Sequence, residues 1–290
     1  MGAPYAEVIG DPIAHSKSPL IHRFWLQKLG IDADYRAVQV HPDMLHEYLV
    51  SRRGDLGWRG CNVTAPHKQT VAPFMARLSR EATRAGAVNT VVRGEAGTRS
   101  GFNTDVLAIT EILRAAWPPT FPDQVAPYVQ VIGAGGAAWA AVIGALDTGH
   151  GADFDFFNRT PEKALAMAQR LSLPPSFAGG LDGIGPIRKD DDRPEHQRYS
   201  HIVINASSMG MLGNDDVPID LSRYYPDTVV VDMAYNPGGT GLIAQARRHG
   251  LLAFDGLDVL VRQAAEAFKL FFRTEPPREH DSELRELLTR

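Results

Sequence analysis

The chain has 290 residues, 44% of them hydrophobic and 22% charged, with a formal net charge of −4. That balance is globular and sufficient for two domains of ordinary size, and it lacks the basic footprint that general nucleic-acid binding requires. Cys61 is the only cysteine, which excludes an internal disulfide and a thiolate metal cluster, and its place in an apolar run predicts a buried, inert thiol.

No apolar run approaches the ~20 residues of a membrane-spanning helix, and the first residues lack a basic region followed by a long apolar one. The chain therefore reads as cytoplasmic. A strand is predicted over residues 5–9, followed by a helix with Leu20, Ile21, Phe24, Trp25 and Leu29 at helical spacing. A strand at 35–40, a helix through Met44, Leu45, Tyr48 and Leu49, and strands at 60–63, 87–92 and 98–102 follow. Strands separated by helices imply a largely parallel sheet. From Asp105 a helix runs through Leu107, Ile109, Ile112 and Leu113 and ends before Pro118 and Pro119. Residues 117–127, with four prolines, read as a surface connection.

A second βαβα run begins with a strand at 128–132, a glycine loop and a helix to Leu146. A strand at 154–157, a helix at 161–171, strands at 201–205 and 228–232, a helix at 242–248 and a strand at 251–254 complete it. Residues 183–200 are charged and read as a solvated loop. A helix from Leu257 through Phe271 and another at 282–288 can pack back on the first unit. The expected fold is α/β and two-lobed. It has an N-terminal α/β domain of residues 1–104 completed by the helices of 257–290, and a Rossmann-type, doubly wound domain of residues 105–256.

Gly133, Gly135 and Ala138 fit G-x-G-x-x-G/A between a strand and a helix. The first glycine permits the turn, the second lets the backbone approach a pyrophosphate, and the small third residue permits close helix–strand packing. The helix N-terminus supplies unpaired N–H groups to the phosphates. The next strand ends in Asn158, Arg159 and Thr160, with Lys163 a turn later. A basic group where an acid would bind a ribose 2′-hydroxyl favours a 2′-phosphate, and so NADP(H). Thr160 and Pro161 also make a good helix start on their own. Asp155 is a dissenting acid, but it lies inside the strand.

In the first lobe, Ser18 with Pro19 reads as a helix cap. Ser16 has no such duty, so its hydroxyl is the better candidate for a substrate carboxylate. The run N-V-T-A-P-H-K from Asn62 to Lys68 ends in a lysine with no local reason to be buried. Alone, Lys68 reads as a surface residue, Asp105 as the cap of its helix, and Asn103 as ambiguous. Together with Asn89 they gain weight, because each falls at the end of a predicted strand or its return, where ligands bind in open α/β sheets.

H-S-K-S-P, N-V-T-x-P-x-K, A-G-A-V-N-T, N-T-D, G-A-G-G-A, N-R-T, I-N-A-S-S-M-G, Y-N-P and D-G-L-x-x-L-V-x-Q-A-A occur in this order. The chain thereby resembles the shikimate dehydrogenases over roughly residues 5–272. The resemblance implies a two-lobed enzyme with its active site in the cleft, reducing 3-dehydroshikimate to shikimate with NADPH on the route to aromatic amino acids. By motif, Lys68 and Asp105 are the implied catalytic pair. Ser16 and Ser18 hold the substrate carboxylate, Thr64, Asn89 and Gln263 bind the ring hydroxyls and neighbouring groups, and Tyr235 lines the cleft. Gly133, Ala134, Gly135, Gly136, Ala137, Asn158, Arg159, Thr160 and Lys163 bind NADP, with Gly256 near the nicotinamide. No metal, nucleic acid or membrane is implied, and the chain is expected to be a monomer or homodimer.

The chain departs from the pattern at Ala138 and Trp139, where a serine or alanine followed by an arginine is common; Trp139 is expected to pack near the adenine. It departs again at Gly239 to Leu242, and at Asp258 and Val259. The alternatives are a quinate/shikimate or related cyclitol dehydrogenase, with NAD as an option, and a dinucleotide-binding regulator without chemistry.

Overall fold

The computed structural model describes residues 2–116, 127–186 and 201–290. The predicted connection at 117–127, except its last residue, and most of the predicted loop at 183–200 lie outside them. The chain forms two compact units: Met1–Leu107 with Val261–Arg290, and Ala108–Leu260.

The first unit runs through β1 (Tyr5–Gly10), α1 (Ser18–Leu29), β2 (Asp34–Gln39), α2 (Leu45–Ser51), β3 (Trp58–Val63), β4 (Arg77–Leu78), α3 (Arg80–Ala85), β5 (Thr90–Arg93), β6 (Arg99–Phe102) and the start of α4 (Thr104–Ala116). Its sheet has the order β2-β1-β3-β5-β6-β4. β1 is parallel to β2 and β3, but β5 is antiparallel to both β3 and β6. The expected largely parallel arrangement is therefore interrupted by β5, and parallel pairing returns only between β6 and β4. β5 and β6 are joined by a tight turn, closed by Gly94 N donating to Thr98 O at 2.8 Å, and so short a connection permits only an antiparallel neighbour.

β5 begins at Thr90, three residues later than predicted, because the preceding N–H groups have other duties. Val88 N donates to Lys68 O at 2.7 Å and Asn89 N to Phe102 O at 3.0 Å. Apolar periodicity does not reveal α3, although its ends are marked: Ser79 Oγ accepts from Ala82 N at 3.1 Å, and Gly86 ends the helix at φ 64°.

Trp25, Tyr35 and Trp58 are fully buried in this unit. Buried Glu7 is satisfied by Tyr48 Oη at 2.6 Å and by Arg52 through Nε and Nη2, each at 3.0 Å, as a charge removed from water must be. Cys61 is buried and unpaired, and burial pushes its thiol up to about 12.

The second unit contains β7 (Tyr128–Ile132), α5 (Gly136–Leu146), β8 (Asp153–Phe157), α6 (Pro161–Arg170), β9 (Ala178–Gly179), β10 (His201–Asn205), β11 (Val229–Asp232), α7 (Gly241–Arg248), β12 (Leu252–Phe254) and the start of α8 (Gly256–Phe272). The rest of α8 and α9 (Asp281–Thr289) belong to the first unit. The strand order is β12-β11-β10-β7-β8-β9, and every pair is parallel. From β7 the chain proceeds outward through β8 and β9, then returns to β10 on the other side of β7. The order thus reverses between β7 and β10, which is where open α/β sheets bind ligands.

Candidate active site and dinucleotide groove

Beyond β3 the chain turns sharply. Thr64 N donates to Ile9 O at 2.9 Å, which ties the turn to the end of β1. His67, buried beneath it, donates from Nε2 to Val40 O at 2.6 Å. With the Lys68 carbonyl held by Val88, the backbone on either side of the lysine is fixed. The ammonium reaches Asp105, where Nζ lies 2.7 Å from Oδ2 and the side chains are 26% and 10% exposed. Lys68 is therefore not the free surface residue its local context suggests.

Asp105 does not cap its helix, contrary to the reading from its position alone. Asn103 does so: its Oδ1 accepts from Val106 N at 3.3 Å and its Nδ2 donates to Ala87 O at 3.0 Å. This leaves the Asp105 carboxylate, in the first turn of α4, available to the lysine.

A buried chain of amides and hydroxyls adjoins the pair. Tyr35 Oη donates to Asn62 Oδ1 at 2.6 Å, Asn62 Nδ2 to Thr90 Oγ1 at 2.9 Å, and Thr90 Oγ1 to Asn89 Oδ1 at 3.0 Å. Asn89 Oδ1 also accepts from Thr104 N at 2.7 Å, and Asn89 Nδ2 donates to Thr104 Oγ1 at 3.0 Å. Thr104 Oγ1 in turn lies 3.4 Å from Gln263 Oε1. Asn89 and Gln263, predicted as ligand residues, are thus brought together by Thr104, which sequence reasoning does not single out. Asn62 and Thr104 stand inside the N-V-T and N-T-D runs, the one signal that points to them.

The expectation that Ser18 caps α1 is corrected. Ser18 is the first residue of α1 and Lys17 occupies the cap position without a side-chain bond. The local duty falls to Ser16, whose Oγ accepts from Ser18 N at 3.3 Å. Ser18 is buried and its hydroxyl adjoins the Tyr35 phenol. Thr64 packs its methyl against Gly10, where a side chain would come within 2.4 Å of it.

In the second unit the turn after β7 lies at the strand-order reversal. Gly133 has φ 120°, and a Cβ there would fall 2.7 Å from Ala206 O, so the residue after β10 requires glycine at the residue after β7. Gly135 precedes α5 with no side-chain cap, and a Cβ on it would meet nothing within 4 Å. A groove of about 650 Å³ opens here, lined by Gly133, Ala134, Gly135, Asn158, Arg159, Thr160 and Lys163 on one side and by residues 206–209 and 213–216 on the other. Gly136 and Ala137 form the first turn of α5 behind the lining. Glycine backbone at a helix start, two cationic side chains and neighbouring hydroxyl and amide groups together suit a phosphorylated dinucleotide.

Asp155 is inside β8 and accepts from Tyr128 Oη, away from the strand end. Asp216 also lines the groove, but its carboxylate accepts from Gly241 N at 2.9 Å at the start of α7. Trp139 corrects its expectation: it does not line the groove, and its ring is covered by the Arg170 guanidinium at 3.9 Å. Gly256 packs against the end of β11, where a Cβ would fall 2.3 Å from Ala234 O and 2.8 Å from Tyr235 Cα. The predicted residues Tyr235 and Gly256 are therefore together in this unit. Among the described residues no group of three or more side chains is arranged to hold a metal, and no helix is long and apolar enough to cross a membrane.

The fold and these two sites define an α/β dehydrogenase with a dinucleotide-type unit. The family model described as shikimate dehydrogenase substrate binding domain matches residues 8–91. The NADP(+) shikimate dehydrogenase of Sphingopyxis alaskensis is 41% identical over 286 residues, covering 99% of this chain and 97% of that protein. The shikimate 5-dehydrogenase of Thermus thermophilus, solved with NADP(H) and shikimate, is 30% identical with a TM-score of 0.79, over 98% of this chain and 99% of that one. Quinate dehydrogenase from Corynebacterium glutamicum, solved with NAD, is 27% identical with a TM-score of 0.79, over 99% and 98%. The chain belongs to the shikimate dehydrogenase family.

Proposed function

We infer that the chain is an NADP-dependent shikimate dehydrogenase, which reversibly reduces 3-dehydroshikimate to shikimate in aromatic amino-acid biosynthesis. The observation that carries this reading is the Lys68–Asp105 pair, 2.7 Å apart beside the Asn89–Thr104–Gln263 chain. An ammonium aligned by a carboxylate next to fixed amides is what a polyhydroxy carbonyl substrate requires.

NADPH bound in the groove would supply a hydride for the carbonyl carbon. Negative charge develops on the carbonyl oxygen, where the Lys68 ammonium stabilises it by hydrogen bonding and delivers a proton. Asp105 holds the ammonium in place and accepts from a ring hydroxyl. Asn89, Gln263 and Thr64 orient the remaining hydroxyls, and Ser16 and Ser18 donate to the carboxylate. Tyr235, by its Y-N-P motif, would contribute to substrate binding. The backbone of Gly133 to Ala137 would hold the pyrophosphate, and Arg159 and Lys163, with Asn158 and Thr160, would hold the 2′-phosphate; Gly256, by its motif, would lie near the nicotinamide. In the oxidising direction Lys68, having released its proton, accepts one from the shikimate hydroxyl.

The test is a four-way assay of the purified chain: shikimate or quinate with NADP+ or NAD+, followed by reduced nicotinamide absorbance. Shikimate with NADP+ is expected to give the highest kcat/KM. A preference for quinate with NAD+ would assign the cyclitol alternative, and no turnover with any pair would overturn the enzyme reading.

A further inference from the structure

A cavity of about 300 Å³ in the first unit is lined by Arg59, Arg93 and Arg273 together with Val92, Phe271 and Phe272, and no carboxylate is among its lining residues. It lies at the end of the sheet opposite Lys68. Trp58, next to Arg59, pairs with Tyr5 at the start of β1, whereas Lys68 follows the other end of β3. The six residues of β3 separate the two by about 17 Å.

Its charge is uncompensated by the residues that line it. Arg93 stands directly across from Arg99 in the β5–β6 ladder, a like-charged pairing that destabilises a sheet unless something else satisfies it. Arg99 donates to Leu49 O at 2.8 Å, and burial and Arg53 hold its guanidinium below its ordinary value. Arg93 Nε is buried without a hydrogen-bond partner. A buried donor left without a partner is destabilising. The walls beside it are aromatic: Phe271 is buried and Phe272 half-buried, with ring centroids 6.3 Å apart. A guanidinium fork matches a carboxylate in two parallel bonds, and phenyl walls match an apolar ring. The volume is at the small end of ligand pockets.

We propose that the Arg59–Arg93–Arg273 cavity is a second binding site, for a small carboxylate that carries an apolar ring. Arg93 makes the central contact, Arg59 and Arg273 close the anionic end from the surface, and Phe272 receives the ring. The site is independent of the Lys68 centre and uses none of its residues.

The experiment is titration calorimetry of the full chain with 3-phenylpropionate, with 3-phenylpropanamide and with inorganic phosphate. One-to-one saturable binding of the carboxylate is expected, with the neutral amide and phosphate at least tenfold weaker. Arg93→Gln is expected to weaken the carboxylate at least tenfold while leaving shikimate turnover within twofold. The exposed change Arg59→Gln, which leaves the buried wall intact, should weaken it severalfold if Arg93→Gln proves unstable. No saturable heat with a Kd of about 1 mM or tighter, or affinity unchanged in both variants, or displacement by shikimate, would overturn the proposal.

Discussion

Thr104 Oγ1 accepts from Asn89 Nδ2 at 3.0 Å and lies 3.4 Å from Gln263 Oε1, so one buried hydroxyl sets two side chains that are far apart in the chain. Its neighbour Asp105 meets Lys68. The residues assigned to hydroxyl recognition and the catalytic pair are therefore fixed by the same first turn of α4.

Thr104→Val keeps the shape and removes the hydroxyl. Asn89 then loses a partner in a buried site, at a cost of about 1–3 kcal/mol. The expected result is a lower unfolding midpoint and a severalfold higher KM for shikimate, with a smaller change in kcat. Thr104→Ser should restore both, and steady-state kinetics with urea unfolding checks it. A change in kcat alone would place Thr104 in the chemistry instead.

Arg159 and Lys163 both line the dinucleotide groove. Replacing each with alanine is expected to remove the proposed charge-assisted bond to the 2′-phosphate and to raise the KM for NADP+ about tenfold, the equivalent of about 1.4 kcal/mol. The KM for NAD+ should change less than twofold. Initial rates with both cofactors decide it, and equal losses with NADP+ and NAD+ would reject the assignment.

Two buried histidines make the fold acid-sensitive. His22 is stacked on Tyr35 with ring centroids 4.0 Å apart, neither of its nitrogens has a hydrogen-bond partner, and burial pushes it down to about 3. His201 is pushed down to about 4, also by burial. The unfolded chain therefore binds protons that the folded chain refuses, and stability is lost as pH falls below about 6.5 toward these values. Asp232 has the opposite sign: burial raises its carboxyl to about 6, so its contribution is present at low pH and is lost as pH rises through 6. It offsets part of the loss in the second unit. In the first unit His22→Phe should reduce the drop in stability between pH 7 and pH 5 by about 2 kcal/mol. Thermal midpoints of both proteins at the two pH values test this, and an equal drop in the variant would exclude His22 as a cause.

Periodicity and turn chemistry make the second unit legible almost residue by residue, because buried parallel strands are continuous apolar runs and the glycine turn is required by contact with Ala206. The first unit is less legible. The two residues of β4, and of β9 in the second unit, carry too little pattern to be seen; β6 is legible as a return strand, but the antiparallel pairing of β5 with β3 is not, because the helix-separated run before it suggests more parallel strands. Strand-end positions only mark Lys68 and Asp105 as ligand-side residues; their pairing is what the family resemblance implies. The cap of α4 is misread because Asn103, Thr104 and Asp105 all have side chains able to fill that role, and only the contact of Asn103 with Ala87 selects among them. Ser18 is misread as a cap for the same reason, since Ser16 beside it takes the local hydrogen bond. Sequence places Trp139 at the adenine, but Arg170, at the far end of α6, covers it, and no local signal reports such a contact.

The most direct test of the central claim is turnover and shikimate binding in Lys68→Ala. A general acid at the reacting oxygen contributes about 10²–10⁴-fold. The kcat for shikimate oxidation with NADP+ is expected to fall at least about 100-fold, while the shikimate Kd measured by calorimetry rises less than tenfold. A variant that binds shikimate normally and keeps more than a tenth of the wild-type kcat would contradict the assignment of Lys68 as the proton-transferring group.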